Sequence, residues 1–219
     1  MYKRNKSLAY IICGIFIIIS IIGVTLALTK HNTRPKLIMA STAFVFTALT
    51  AFIENRSKYG LFVLIGLIFC WLGDFSGHYN FKASVASFAL AHISFISAFL
   101  YIGIIRKRAL ISLCVFSIIS IFIAYWLYPY VPKSDQPFVF IYIVIITVMI
   151  IIAFGTRTNP VQKVIWLGAI LFYVSDIFVA RRKFVDPSHI NAFIYLPLYY
   201  ASCIVFAISN LVYKKDYHL

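Results

Sequence analysis

Six acidic residues stand in a chain of 219: Glu54, Asp74, Asp135, Asp176, Asp186 and Asp216. Four of them fall in polar connections or at the ends of apolar runs. Asp74 and Asp176 fall inside such runs, at the ends of Gly66-Leu-Ile-Phe-Cys-Trp-Leu-Gly-Asp74 and Gly168-Ala-Ile-Leu-Phe-Tyr-Val-Ser-Asp176. A charged side chain in hydrocarbon costs about 2.5–3.5 kcal/mol on insertion scales, so such a residue turns inward and is retained for a task. Two carboxyls at one site can divide acid–base work: one delivers a proton, and the other, ionised, stabilises a developing cation and orients water. The plainer alternative for each aspartate is a helix–helix hydrogen bond or a pair with a basic residue. His92 lies in the next apolar run, where a lone histidine commonly serves as a structural hydrogen-bonding residue. His78 lies one helical turn beyond Asp74, on the same side. Together His78, His92 and the two aspartates match no ligand spacing for a metal, so neither metal nor cofactor is expected.

The elements that must hold these residues are apolar helices. The chain is 63% hydrophobic and 12% charged, with a mean hydropathy of +0.94. A soluble domain could not hide that much apolar surface, whereas a bilayer solvates it. Eight runs approach the roughly 20 residues that cross a hydrocarbon core: 8–28, 37–52, 61–79, 83–105, 110–128, 138–154, 161–180 and 192–213. They make a single domain, an all-α polytopic transmembrane helix bundle. The second and sixth runs are short, and seven spans is the alternative. The first run is too long for a signal-peptide core and lacks a clear cleavage site, so no removal is expected. Pro35, Pro129, Pro132, Pro160 and Pro187 sit at or near helix ends, where proline is tolerated.

The net charge of +14 does not indicate nucleic acid. Its clusters, Lys3-Arg4-Lys6, Arg106-Lys107-Arg108, Arg181-Arg182-Lys183 and Lys214-Lys215, lie between apolar runs, as charges anchored at an anionic lipid surface do. With eight spans, twelve Lys and Arg fall on the side of the termini and eight on the other. That bias favours cytoplasmic termini, in the inner membrane if the protein is bacterial. Cys13, Cys70, Cys114 and Cys203 each lie within an apolar run and read as core thiols.

Gly66 to Gly168 and Asp74 to Asp176 share an offset of 102 residues, which covers four spans. An even offset suggests two parallel four-helix repeats about an axis along the membrane normal. Chance alignment of apolar helices is the competing explanation. Both aspartates then lie at similar depth beside one surface. Gly66, Cys70, Gly73 and Gly77 share a narrow helix face, and Gly73-xxx-Gly77 invites a close neighbour beside Asp74. Intramembrane aspartates and parallel repeats also suit a proton-coupled transporter, although the inner halves of the spans hold few further polar residues. A non-catalytic lipid-binding protein is the third reading.

Gly73-Asp74 followed by Phe81, Phe88, His92 and Phe95 resembles a signature of the YhhN-like lysoplasmalogenase family of polytopic membrane proteins. Ser175-Asp176-Ile-Phe-Val-Ala180 with Phe184 is similar to a second signature, and Tyr199-Tyr200 in the last span to a third. Arg34-Pro35-Lys36 resembles a Lys-Pro pair before the second span. Ser84, Phe95 and Cys203 depart from the family's usual glycine, tyrosine and glutamine. The resemblance implies hydrolysis of the vinyl-ether bond of lysoplasmalogen, a lysophospholipid, to a fatty aldehyde and a glycerophospho-base. Under that reading Asp74, Asp176 and His92 are the catalytic candidates, with Asp74 as the acid and Asp176 as the ionised partner, or the reverse. Arg34, Lys36, His78, Arg181, Tyr199 and Tyr200 are the candidates for holding substrate, the cations for its phosphate.

Overall fold

The computed structural model describes residues 6–29 and 33–215. Lys3, Arg4, Lys30 and Asp216, and the side chain of Lys6, lie outside the described residues. Eight helices follow one another: α1 Lys6–Thr29, α2 Thr33–Glu54, α3 Lys58–Ser76, α4 Phe81–Ile102, α5 Arg106–Leu127, α6 Gln136–Gly155, α7 Gln162–Ala180 and α8 Ile190–Val212. All eight are long and apolar enough to cross a membrane. The two short runs prove full length. α2 has 22 residues because Arg34-Pro35-Lys36 winds into its first turn, where proline loses no helical hydrogen bond. α6 has 20 residues, again with proline at its start. Ser57 and Asn80 cap α3 and α4 by accepting from Gly60 N–H and Ala83 N–H. Of the cysteines, Cys13, Cys70 and Cys203 are buried, but Cys114 is exposed on α5 and is not a core thiol.

The helices run up and down between two faces. At one face, the terminal face, Asn55 after α2 donates to the Asn210 carbonyl of α8 at 2.7 Å. There too, Arg157 N–H after α6 donates to the Gly103 carbonyl after α4 at 2.7 Å. At the opposite face, Phe81 at the start of α4 meets Phe184, just past α7, edge to face at 5.7 Å.

The packing nearly obeys an exchange of α1–α4 for α5–α8. α1 on α2 corresponds to α5 on α6, α3 on α4 to α7 on α8, α2 on α3 to α6 on α7, and α2 on α8 to α6 on α4. The fit extends to single atoms. A Cβ on Gly66 would meet the Phe95 ring at 2.5 Å, and a Cβ on Gly168 would meet the Phe206 ring at the same 2.5 Å. Phe95 and Phe206 then pack against each other, tilted by 39° with centroids 4.7 Å apart. Here glycine is required by close approach, since any side chain would push an aromatic ring out of the bundle centre. The two glycines are 102 residues apart and the two phenylalanines 111. The second half therefore holds nine extra residues between its aspartate and its packed phenylalanine. They include Arg181–Val185, a single π-helical turn that follows α7 without a break.

Candidate functional site

Asp74 and Asp176, one from each half, line the same cavity. Its volume is about 510 Å³, within the range of small-molecule sites. It reaches from the face of Phe81 and Phe184 down to the two carboxyls. Beneath them Phe95, Phe99, Phe172 and Phe206 are fully buried and interlocked, with ring centroids 4.7–6.5 Å apart. This aromatic layer lies behind His92 and Tyr199, outside the cavity's own lining.

Three hydroxyls converge on one oxygen of Asp74. Ser41 makes a short hydrogen bond to Oδ2, Tyr199 donates to it at 2.9 Å, and Tyr200 OH lies 3.4 Å away. Ser41 comes from α2 and the tyrosines from α8, so three helices meet at this carboxyl. Pro197 lies inside α8 just before the tyrosines; it cannot donate to the Phe193 carbonyl, so α8 lacks one helical hydrogen bond there. Gly73 lets the Phe88 ring come within 2.7 Å of where its Cβ would be, and its carbonyl accepts from Ser84 Oγ at 2.9 Å. The glycine face of α3 thus seats α4 beside Asp74, as its spacing predicts.

Asp176 is held differently. Tyr142 of α6 donates to its Oδ2 at 2.5 Å, and His92 Nε2 lies 2.8 Å from the same phenol oxygen and 3.7 Å from the carboxylate. With the phenol proton directed at Asp176, His92 Nε2–H donates to Tyr142, and Nδ1 takes no part in the chain. That Nδ1 is buried and has no partner. His92, fully buried, is therefore one end of a His92–Tyr142–Asp176 chain and does not itself line the cavity.

The mouth is cationic and aromatic. The π turn swings Arg182 and Lys183 into the lining, together with Phe184, His78 and Phe81. Arg182 donates to Tyr195 OH at 2.9 Å, and Lys183 Nζ lies 4.9 Å from the Phe81 centroid. Burial, and after it the nearby charge of Arg34, holds His78 below the usual histidine value, so its ring is neutral at neutral pH. Arg181, one residue earlier, points elsewhere: it pairs with Asp186 at 3.2 Å. Hydrogen bonds from the Ser188 N–H and hydroxyl hold the Asp186 carboxyl below the usual aspartate range.

Of the residues expected from the sequence, Asp74, Asp176, His78, Tyr199 and Tyr200 line the cavity, with His92 directly behind Asp176. Arg34, Lys36 and Arg181 lie at the same face outside the lining. Ser41, Tyr142, Tyr195, Arg182 and Lys183 were not legible as site residues. A hydroxyl within an apolar run carries no signal until its neighbour is known, and only the π turn distinguishes Arg182 and Lys183 from Arg181. Among the described residues no three His, Cys, Asp or Glu side chains are grouped to hold a metal ion.

No solved structure matches the chain. The YhhN family model matches residues 35–210, from the first turn of α2 to the last turn of α8, including both aspartates and every residue of the cavity. The chain belongs to the YhhN family.

Proposed function

We propose that this protein is a membrane-embedded hydrolase that cleaves the vinyl-ether bond of lysoplasmalogen, releasing a fatty aldehyde and a glycerophospho-base. The observation that carries this reading is the convergence of Asp74 and Asp176 on one cavity with a cationic mouth and an otherwise largely apolar wall. A lysolipid has the matching parts in the matching order: an anionic phosphate, an ether a few bonds deeper, and a hydrocarbon chain.

The hydrogen bonds support a division of labour. The Leu37 carbonyl, which can only accept, lies 2.9 Å from Ser41 Oγ and 3.0 Å from Tyr200 OH. Each hydroxyl has one proton; the carbonyl already accepts the helical Ser41 N–H and has room for one of them, and Ser41 is the nearer. Ser41 Oγ is then left as an acceptor, and a protonated Asp74 completes its short contact by donating to it. Asp176 instead receives the Tyr142 proton, as a carboxylate does. In this scheme Asp74 protonates the alkene carbon remote from the ether oxygen. The carbon bonded to that oxygen becomes an oxocarbenium centre, which the charge of Asp176 stabilises, following the logic of paired glycosidase carboxylates. Water adds to that carbon and gives a proton to Asp176, forming a hemiacetal. Collapse returns the hemiacetal proton to Asp74, while Asp176 protonates the departing glycerol oxygen. Atoms and charges balance, and the enzyme is regenerated. Tyr142 and His92 orient Asp176. Arg182 and Lys183 hold the phosphate as charge-assisted donors. The excess of Lys and Arg on the terminal face supports an orientation with both termini in the cytoplasm, in which the mouth faces the opposite leaflet.

The test is aldehyde release from lysoplasmalogen by purified protein in deuterated water. One deuterium is expected on the carbon next to the aldehyde, with loss of turnover in Asp74→Asn and Asp176→Asn while both variants stay monodisperse in detergent. Near-normal turnover by either variant would overturn the carboxylate mechanism.

A further inference from the structure

The exchange that relates the two halves fails at one place. In the first half α1 packs on α8 as well as on α2. Its counterpart α5 packs on α6 and touches the π turn, but makes no comparable packing with α4. α5 is accordingly the least buried of the eight helices; Ile118, Ile121, Phe122 and Tyr125 are 68–81% exposed. Its anchorage is a hydroxyl cluster, in which Ser120 Oγ lies 2.6 Å from both Thr147 Oγ1 and Tyr173 OH.

The cavity lies on this side of the bundle. Its apolar wall is built from α4, α5, α6 and α7, with Val85, Ile123, Val139, Ile143, Ile146 and Ile177 as its aliphatic lining. Among the described residues, the corresponding region of the first half holds a smaller recess between α2 and α3, at Thr42, Val45, Ile68 and Trp71. There α1 has closed on α8, and the Trp71 ring hydrogen-bonds to Thr42 at 3.1 Å. One half is sealed and the other is hollow, and the hollow half adjoins the carboxyls. An aliphatic chamber facing a bilayer, continuous with a polar site and bounded by two helices that do not pack together, matches a single alkyl chain delivered from the lipid. A soluble ligand would need no aliphatic wall, and a folded polypeptide would not enter about 510 Å³.

We propose that the hydrocarbon chain of a single-chain lipid occupies the chamber between α4, α5, α6 and α7, and that it enters sideways from the bilayer between α4 and α5. This deepens the hydrolase reading by placing the chain, but chain placement and hydrolysis are separable. The chain end lies against Ile123, Val139 and Ile143, and the head group faces Arg182 and Lys183.

The probe is a saturated 1-O-alkyl lysophospholipid, which has no vinyl ether to cleave, with a diazirine near its chain end. Full-length protein in nanodiscs is irradiated and the adducts are mapped by mass spectrometry. The expected adducts fall within 81–88, 119–127 and 139–146, and excess unlabelled lysolipid suppresses them at least fivefold. Label at the ordinary lipid-facing positions of α1 does not compete. Competable adducts on α1, α2 or the outer face of α3, or only uncompeted adducts spread over the exposed surface, would overturn the proposal. Ile123→Trp and Val85→Trp each narrow the chamber and should lower competable labelling about tenfold; the wild-type map decides the matter even if neither variant folds. Competable chamber adducts without aldehyde release from lysoplasmalogen leave the chain site standing and remove the hydrolase. Aldehyde release with adducts elsewhere does the opposite.

Discussion

Asp74 and Asp176 occupy equivalent places in two halves that repeat the same helix packing, yet their surroundings differ. Asp74 sits among Ser41, Tyr199 and Tyr200, hydroxyls from two helices, with the Leu37 carbonyl also within reach of Ser41 and Tyr200. Asp176 has one phenol and, behind it, a buried imidazole. The scaffold keeps its symmetry where rings must interlock, at Gly66 with Phe95 and Gly168 with Phe206, and departs from it in the hydrogen bonds around the two carboxyls. A symmetric pair of carboxyls would have no built-in reason for one to be acid and the other base. Different hydrogen-bond partners supply that reason without changing the backbone frame.

The comparison breaks most sharply at the carboxyls themselves. Asp74→Asn and Asp176→Asn should each lower aldehyde release by about 10²–10⁴-fold, the usual range for losing a positioned acid or base. Solvent deuterium should also enter the product of any residual Asp176→Asn turnover, because that variant retains the proton donor. An Asp176→Asn enzyme as fast as the parent would mean that the second half is only scaffold.

The conserved part of the comparison predicts equal responses. Gly66→Ala and Gly168→Ala each drive a Cβ into a packed phenylalanine ring, an overpacking that costs about 1–3 kcal/mol. Unfolding in mixed detergent should show similar losses for the two. Destabilisation by only one would mean that the rings yield in the other half and that the packing there is looser.

The divergent part predicts unequal responses. Tyr142→Phe removes the one hydroxyl on Asp176, a loss of about one hydrogen bond and so about tenfold in kcat. Tyr199→Phe leaves Ser41 and Tyr200 beside Asp74 and should cost about threefold or less on the same scale. Steady-state kinetics on the two variants, with KM reported separately, would reverse the assignment if the order were inverted.

The smallest expected effect lies in the connection that only the second half has. Asp186 is held below its usual value by Ser188, so its contribution to folding is complete above the ordinary aspartate value of about 3.9. That contribution fades as pH falls from there through the lower folded value. Asp186→Asn should flatten this acid limb of a detergent thermal-stability profile slightly, because the carboxyl is exposed and its pairs are screened. An unchanged limb would show that the loop does not depend on it.

Much of the fold was legible because a bilayer makes the rule simple: an apolar run of sufficient length becomes a helix, since no other backbone can satisfy itself in lipid. The run lengths, the prolines near the ends and the glycine face of α3 therefore carried over. α2 and α6 read as short because their polar first turns were left out, although Thr33–Leu37 and Gln136–Pro137 are helical. Asp74 and Asp176 were conspicuous for the same physical reason, as carboxyls in hydrocarbon.

What the sequence determined by itself is thus the solvent, a bundle of about eight crossings with seven still open, the two carboxyls and their similar depth. Tertiary structure alone decided that they face one cavity, because helix rotation and neighbour choice depend on packing that a list of apolar residues does not encode. It also decided the partners. Ser41, Tyr142 and Tyr199 are ordinary hydroxyls until helices distant in sequence bring them within hydrogen-bond range. One π turn, invisible in composition, selects Arg182 and Lys183 for the mouth and turns Arg181 away. The openness beside α5 is likewise a property of assembly: α1 and α5 are both apolar helices, and only their packing shows that one seals its half while the other leaves its half hollow.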